Sequence, residues 1–187
     1  VGRLTLVGPF PLSQHRPCVS GQYCNLGQIT FTYPMNSWRS DFDQHRILVM
    51  ETCGIPSALP RFPADGVAEL SGLWTENTMQ SNLVAPFQIF EAGWEIPVTA
   101  AAGTYRLCWC SPLHSEAETC EKLPSAHVDI GAFSLLGPTP LSQDRTCVSG
   151  QLCRLSDWHG VELGNSGNSS VLVMQTCGTT ALAKQFE

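Results

Sequence analysis

The sequence predicts an all-β chain of tandem, disulfide-stabilised β-sandwich modules. Three observations carry that prediction: short apolar stretches cut up by 16 Gly and 13 Pro, nine cysteines spread over 187 residues, and a long internal repeat.

The clearest strand is Gly103-Thr104-Tyr105-Arg106-Leu107-Cys108-Trp109-Cys110. Side chains of a strand alternate between faces, so Tyr105, Leu107 and Trp109 share one face and Arg106, Cys108 and Cys110 the other. Cysteines at i and i+2 stand about 6–7 Å apart at Cα, a poor geometry for bonding each other. Each therefore takes a partner elsewhere, and a strand tied in two directions is a central one.

Taken in order, residues 4–7 predict a first strand closed by Gly8-Pro9. Residues 22–26 and 29–33 predict two more, and residues 47–52 another that ends at Cys53-Gly54. Pro56, Pro60 and Pro63 mark an irregular passage through Arg61-Phe62. Residues 67–73, after Asp65-Gly66, predict a short helical turn; residues 83–90, 95–98, 104–109 and 127–130 predict the remaining strands. No long stretch has a 3.6-residue apolar period, so helix is a minor component.

The repeat is explicit. VGRLTLVGPFPLSQHRPCVSGQYCNL at the start returns from Ile130 as IGAFSLLGPTPLSQDRTCVSGQLCRL, identical at about 16 of 26 positions. The stretch from Ile47 to Gly54, ILVMETCG, returns from Val171 to Gly178 as VLVMQTCG. Residues 1–129 thus form a complete six-cysteine module and residues 130–187 the first half of a second copy. That half lacks counterparts of residues 83–90, of the Tyr105 strand and of Cys108, Cys110 and Cys120. Half a sandwich cannot bury its own core, so chain continuation or a neighbouring chain completes it. At the junction, strand 127–130 runs into strand 133–136 with only Gly131-Ala132 between, which predicts a semi-rigid array.

Composition narrows the function. A net charge of −6 with no Lys/Arg run argues against nucleic acid or an anionic membrane as partner. No apolar stretch approaches the roughly 20 residues of a membrane span. Val1 is followed by no signal-like region, as in a processed chain or part of a longer one. Nine cysteines not gathered into CxxC knuckles predict an oxidising, extracellular or cell-surface setting.

The disulfide candidates are Cys18, Cys24, Cys53, Cys108, Cys110, Cys120, Cys147, Cys153 and Cys177. Cys110 and Cys120 suit a short loop through Pro112 and Glu118, while Cys18, Cys24, Cys53 and Cys108 leave their connectivity open. The competing reading is a metal site of Cys108, Cys110, His114 and Cys120, but one C-x-C with scattered ligands is weak support for zinc. Nine is odd, so one thiol lacks a mate within this chain.

Other candidates are weaker. Asp41 and Asp43 supply too few oxygens for Ca2+, which takes about six to eight. Ser13-Gln14-His15 returns as Ser142-Gln143-Asp144, so the histidine is not part of the repeated plan and no catalytic triad can be argued. Arg16 and Arg145 recur and suit a structural role. Asn168-Ser169-Ser170 is a candidate N-glycosylation site in a Gly/Asn/Ser-rich loop. Trp38, Trp74, Trp94 and Trp158 suit core packing, with sugar-stacking platforms as the alternative.

Gly103-Thr104-Tyr105 leading into Cys108 resembles the tyrosine corner and cysteine of immunoglobulin-like domains. Tyr105 and Cys108 are three apart and face oppositely, so the resemblance implies immunoglobulin-like β-sandwich modules without the usual disulfide. GPxPLSQ(H/D)RxCVSGQxC, LVMxTCG and GTYRLCWC together resemble cysteine-rich tandem modules of secreted algal and protist surface proteins, with flagellar-hair (mastigoneme) glycoproteins as the functional analogue. The resemblance implies an extracellular filament or surface-coat component, with hydroxylated and O-glycosylated prolines at Pro9, Pro11, Pro138 and Pro140. It offers no catalytic residues. The expected function is a structural subunit that is not an enzyme, carries no metal or other cofactor, and has copies of itself and covalent glycans as partners. A glycan-binding or adhesion module is the alternative.

Overall fold

The computed structural model describes residues 2, 4, 6, 8–32, 45–57, 59–73, 87–111, 120, 126–164 and 170–179; at 69, 71–73 and 87–89 it describes the backbone. The described part is almost entirely β. Its strands are β1 (Gly8–Pro9), β2 (Arg16–Val19), β3 (Asn25–Thr32), β4 (Arg46–Met50), β5 (Val67–Leu73), β6 (Phe87–Gly93), β7 (Gly103–Cys110), β8 (Val128–Pro138) and β9 (Gly160–Val161).

Hydrogen bonding runs β1-β3-β6-β5-β4-β7-β8-β2, with β9 against the end of β8. The path divides into two sheets at β5, whose Val67 and Ala68 pair with β4 while Glu69 to Leu73 pair with β6. All pairings are antiparallel except that of β2 with β8. Leu26, Ile29 and Phe31 of β3 meet Ile47 and Val49 of β4, Leu107 and Trp109 of β7, and Ile130, Phe133 and Leu135 of β8 in one buried cluster. A smaller cluster of Leu48, Met50, Cys108, Cys110, Cys120 and Ala126 covers the opposite face of β4 and β7.

β7 behaves as its alternation predicts. It lies between β4 and β8, turns Tyr105, Leu107 and Trp109 to the large cluster, and turns its two cysteines away from it. Cys108 is bonded to Cys53 and Cys110 to Cys120; Cys18 pairs with Cys24 and Cys147 with Cys153.

Several predicted elements differ from the observed ones. The two strands expected over 22–26 and 29–33 are one, β3, which begins at Asn25 and has a bulge where Asn25 pairs with Gly93 and Gly27 with Ala92; residue 33 lies outside the described residues. Gly27 takes φ +67° and donates its N–H to Asn25 Oδ1 at 2.7 Å. The extra residue lets Leu26 and Ile29, three apart, both face inward.

Residues 67–73 are strand rather than helical turn. The turn is 3-10 and precedes them at Pro63–Gly66, and ladder bonds to β4 and β6 outweigh the local spacing. Residues 95–98 form no strand, because Pro97 has no N–H to donate; what remains is a bridge between Val98 and Gln22. At the start, Leu4 and Leu6 lie outside any strand, 85% and 82% exposed.

The two strands expected on either side of Gly131-Ala132 are a single one. β8 runs for 11 residues without interruption. A bulge opposite Leu107 and Cys108 carries it past Ile130, and Asp129 fixes the bulge by accepting the Gly131 N–H at 3.0 Å. The same carboxylate takes two bonds of 2.7 Å from Arg106.

Candidate functional site

The described surface offers no cluster of His, Cys, Asp or Glu suited to a metal ion. Three thiols of the alternative metal site, Cys108, Cys110 and Cys120, are in disulfides, while His114 lies outside the described residues. Ser13 to His15 make no triad: Gln14 is bonded to backbone, and His15 Nδ1 accepts the N–H of Ala132 at 2.9 Å. A recess of about 220 Å³ beside Phe62 and Tyr105 is mostly apolar, with Glu51 and Arg61 at its wall. Burial and the Glu51 carboxylate push the Tyr105 phenol above its ordinary value.

Trp94 is a core residue. It donates Nε1–H to the Val67 carbonyl at 2.7 Å and packs against Phe62 and Phe133. Trp158 is half-buried beneath the Arg145 guanidinium, 4.8 Å from its ring centroid. Trp38, Trp74, Asp41, Asp43 and Asn168 lie outside the described residues.

The most extensively bonded arrangement among the described residues is the seat of β8. One edge pairs antiparallel with β7, Tyr105 opposite Phe133 and Gly103 opposite Leu135; the other pairs parallel with β2, Arg16 against Phe133 and Val19 against Leu136. The residues flanking β2 supply further bonds: before it, Gln14 donates its N–H to the Ile130 carbonyl at 2.7 Å, and after it, Ser20 donates its N–H to the Leu136 carbonyl at 2.8 Å. Ile130, Phe133 and Leu135 are fully buried, with the Phe133 ring against Phe62, Trp94 and Tyr105. Tyr105 itself donates its hydroxyl to the Ala101 carbonyl at 2.8 Å.

Past Leu136 the same strand does a second job. Gly137 pairs with Val161 and Pro138 with Gly160, the register in which Gly8 pairs with Thr32 and Pro9 with Phe31.

The loops beyond these short pairings agree in detail. Gln14 exchanges two bonds with the backbone of Thr30, and Gln143 does so with His159. Arg16 donates to the carbonyls of Leu26 and Gln28, and Arg145 to those of Ser156 and Asp157. Both arginines thus act as clamps on backbone, and burial lowers the pKa of Arg16. The clamps were not foreseen as a pair with glutamine, although the recurring SQ(H/D)R was their signal.

Residues 155 and 171–173 stand differently from their counterparts. Leu48 is fully buried, whereas Leu172 is 68% exposed; Leu155, Val171 and Val173 are exposed where Leu26, Ile47 and Val49 are buried. Cys177 is an exposed free thiol, whereas its counterpart Cys53 is bonded to Cys108 of β7. In the first body, β7 supplies Leu107 and Trp109 to the cluster holding Leu26, Ile47 and Val49, Cys108 and Cys110 to the one holding Leu48, and Cys108 as the partner of Cys53.

Four disulfides mark a protein of an oxidising compartment. Among the described residues no helix is long and apolar enough to cross a membrane. Comparison with known protein families, with curated proteins and with solved structures gave no match.

Proposed function

We propose that the chain is a structural subunit of an extracellular filament or surface coat, assembled from tandem immunoglobulin-like β-sandwich modules. The observation that carries this reading is β8, one strand whose first part is buried in the body of residues 8–127 and whose last two residues pair forward with β9. A junction of this kind resists swivelling, which suits a load-bearing array better than a flexible string of binding domains. The exposed side chains of Leu155, Val171, Leu172 and Val173 support it, since their counterparts are core residues and apolar side chains left open call for a further set of strands. The tyrosine-corner bond from Tyr105 to Ala101 supports the immunoglobulin-like assignment. Copies of the same chain are its partners, and Asn168 is the candidate glycan attachment site.

A glycan-binding or adhesion role is the second reading, favoured by the half-buried Trp158 with Arg145 on its ring. Sedimentation velocity on the disulfide-intact chain separates the two. The structural reading expects association that grows with concentration and disappears on Leu172→Asp. A chain monomeric at every concentration that binds an immobilised glycan array would overturn it.

A further inference from the structure

The sequence repeat and the strand pairing place the end of one unit differently. By sequence, residues 130–138 open the second copy as residues 1–9 open the first. By pairing, residues up to Leu136 belong to the first body, between β7 and β2, and only Gly137 and Pro138 pair forward. The opening strand of the second copy therefore closes the body ahead of it, and the copy's own body starts at Gly137, as the first starts at Gly8.

The opening of the first copy has the same features without that setting. Gly2, Leu4 and Leu6 align with Gly131, Phe133 and Leu135. Gly131 is a glycine for a steric reason: a Cβ there would stand 2.8–2.9 Å from the N, C and O atoms of Gln14. A Cβ on Gly2 would meet nothing within 4 Å. Phe133 and Leu135 are 0% exposed, whereas Leu4 and Leu6 lie open to solvent. A close-approach glycine followed by inward-facing apolar residues at alternate positions is the pattern of a buried strand.

We infer that the segment carrying Gly2, Leu4 and Leu6 is a donated strand whose receptor is a second copy of this body standing ahead of it in a tandem array. It seats there antiparallel to that copy's β7 and parallel to its β2. Leu4 lies opposite the Tyr105 position, Leu6 opposite the Gly103 position, and Gly2 against the Gln14 backbone. Residues 130–187 cannot be the receptor, since they have no counterpart of β7. A body whose own β8 is in place cannot be either, since its seat is full. This inference rests on the modular part of the reading above and is independent of whether the modules form a filament.

The test fuses residues 8–129 of a second copy directly ahead of the 187-residue chain, so that its residues 1–9 stand where 130–138 stand in the first body. Amide hydrogen exchange is measured in the peptide 1–9, alone and in the fusion. The expected result is exchange slowed at least about 100-fold in the fusion, to the range of residues 132–136, and restored by the double substitution Leu4→Asp, Leu6→Asp. Equal, fast exchange with and without the leading copy would overturn the proposal. So would failure of the leading copy to fold, provided a control fusion with residues 130–138 at the junction folds. Neither outcome depends on whether the native protein forms filaments.

Discussion

Gly131 has no side chain because the backbone of Gln14 occupies the place where a Cβ would stand. Gly131→Ala should therefore cost about 1–3 kcal/mol through overpacking, while Gly2→Ala in the same chain should stay within about 0.5 kcal/mol. Urea unfolding of the two variants checks the contrast. Tyr105 gives a pH signature. Its pKa is raised from 10.0, first by burial and then by Glu51, so the folded state holds the phenolic proton to higher pH than the unfolded chain does. That contribution is complete below about pH 10 and is lost as pH rises through the folded pKa. Tyr105→Phe should remove this alkaline slope and cost about 0.5–1.5 kcal/mol at neutral pH through the lost bond to Ala101. Unfolding midpoints at neutral and alkaline pH, compared with the parent protein, read both effects. At this scale the sequence was informative wherever alternation was strict: the faces of Tyr105, Leu107, Trp109, Cys108 and Cys110 came from period two alone. It was silent on Asp129, whose bonds to Arg106 and Gly131 depend on a bulge that no spacing announces.

At the scale of elements, what could be read were apolar cores of strands, and what could not were their joins. β4 is legible as a run of apolar residues, Ile47 to Met50 all buried, and β7 as a strict alternation whose second half, Leu107 to Cys110, is buried. β3 was divided at Gly27 and β8 at Gly131-Ala132, since a glycine looks the same whether it ends a strand or permits a bulge. β2 was missed because Arg16–Val19 takes its stability from pairing with β8, far away in sequence. Phe133→Ala, which empties the space between Phe62, Trp94 and Tyr105, should cost about 3–5 kcal/mol, whereas Leu4→Ala should be nearly neutral. Thermal unfolding monitored by tryptophan fluorescence distinguishes them. The Cys53–Cys108 bridge closes a separation of 55 residues between the end of β4 and β7. Replacing both cysteines by serine should lower stability by about 2–4 kcal/mol, seen as a lower urea midpoint under non-reducing conditions.

At the scale of the molecule, covalent staples and shared strands divide the work. The disulfides hold individual loops and strands within a body, as Cys18–Cys24 and Cys147–Cys153 do in equivalent loops. β8 joins the first body to β9 and its loops without a linker. The repeat is legible in the sequence, but the seat of residues 130–136 is not, because only pairing places them between β7 and β2. Leu172 and the free thiol of Cys177 are exposed, whereas their sequence counterparts Leu48 and Cys53 are buried and disulfide-bonded respectively. Electron microscopy of the native material, kept unreduced and untruncated, tests the structural role most directly. A load-bearing subunit should give regular filaments or a layered coat whose repeat corresponds to a small number of bodies in rigid series. Dispersed single particles with freely varying angles between bodies would contradict it.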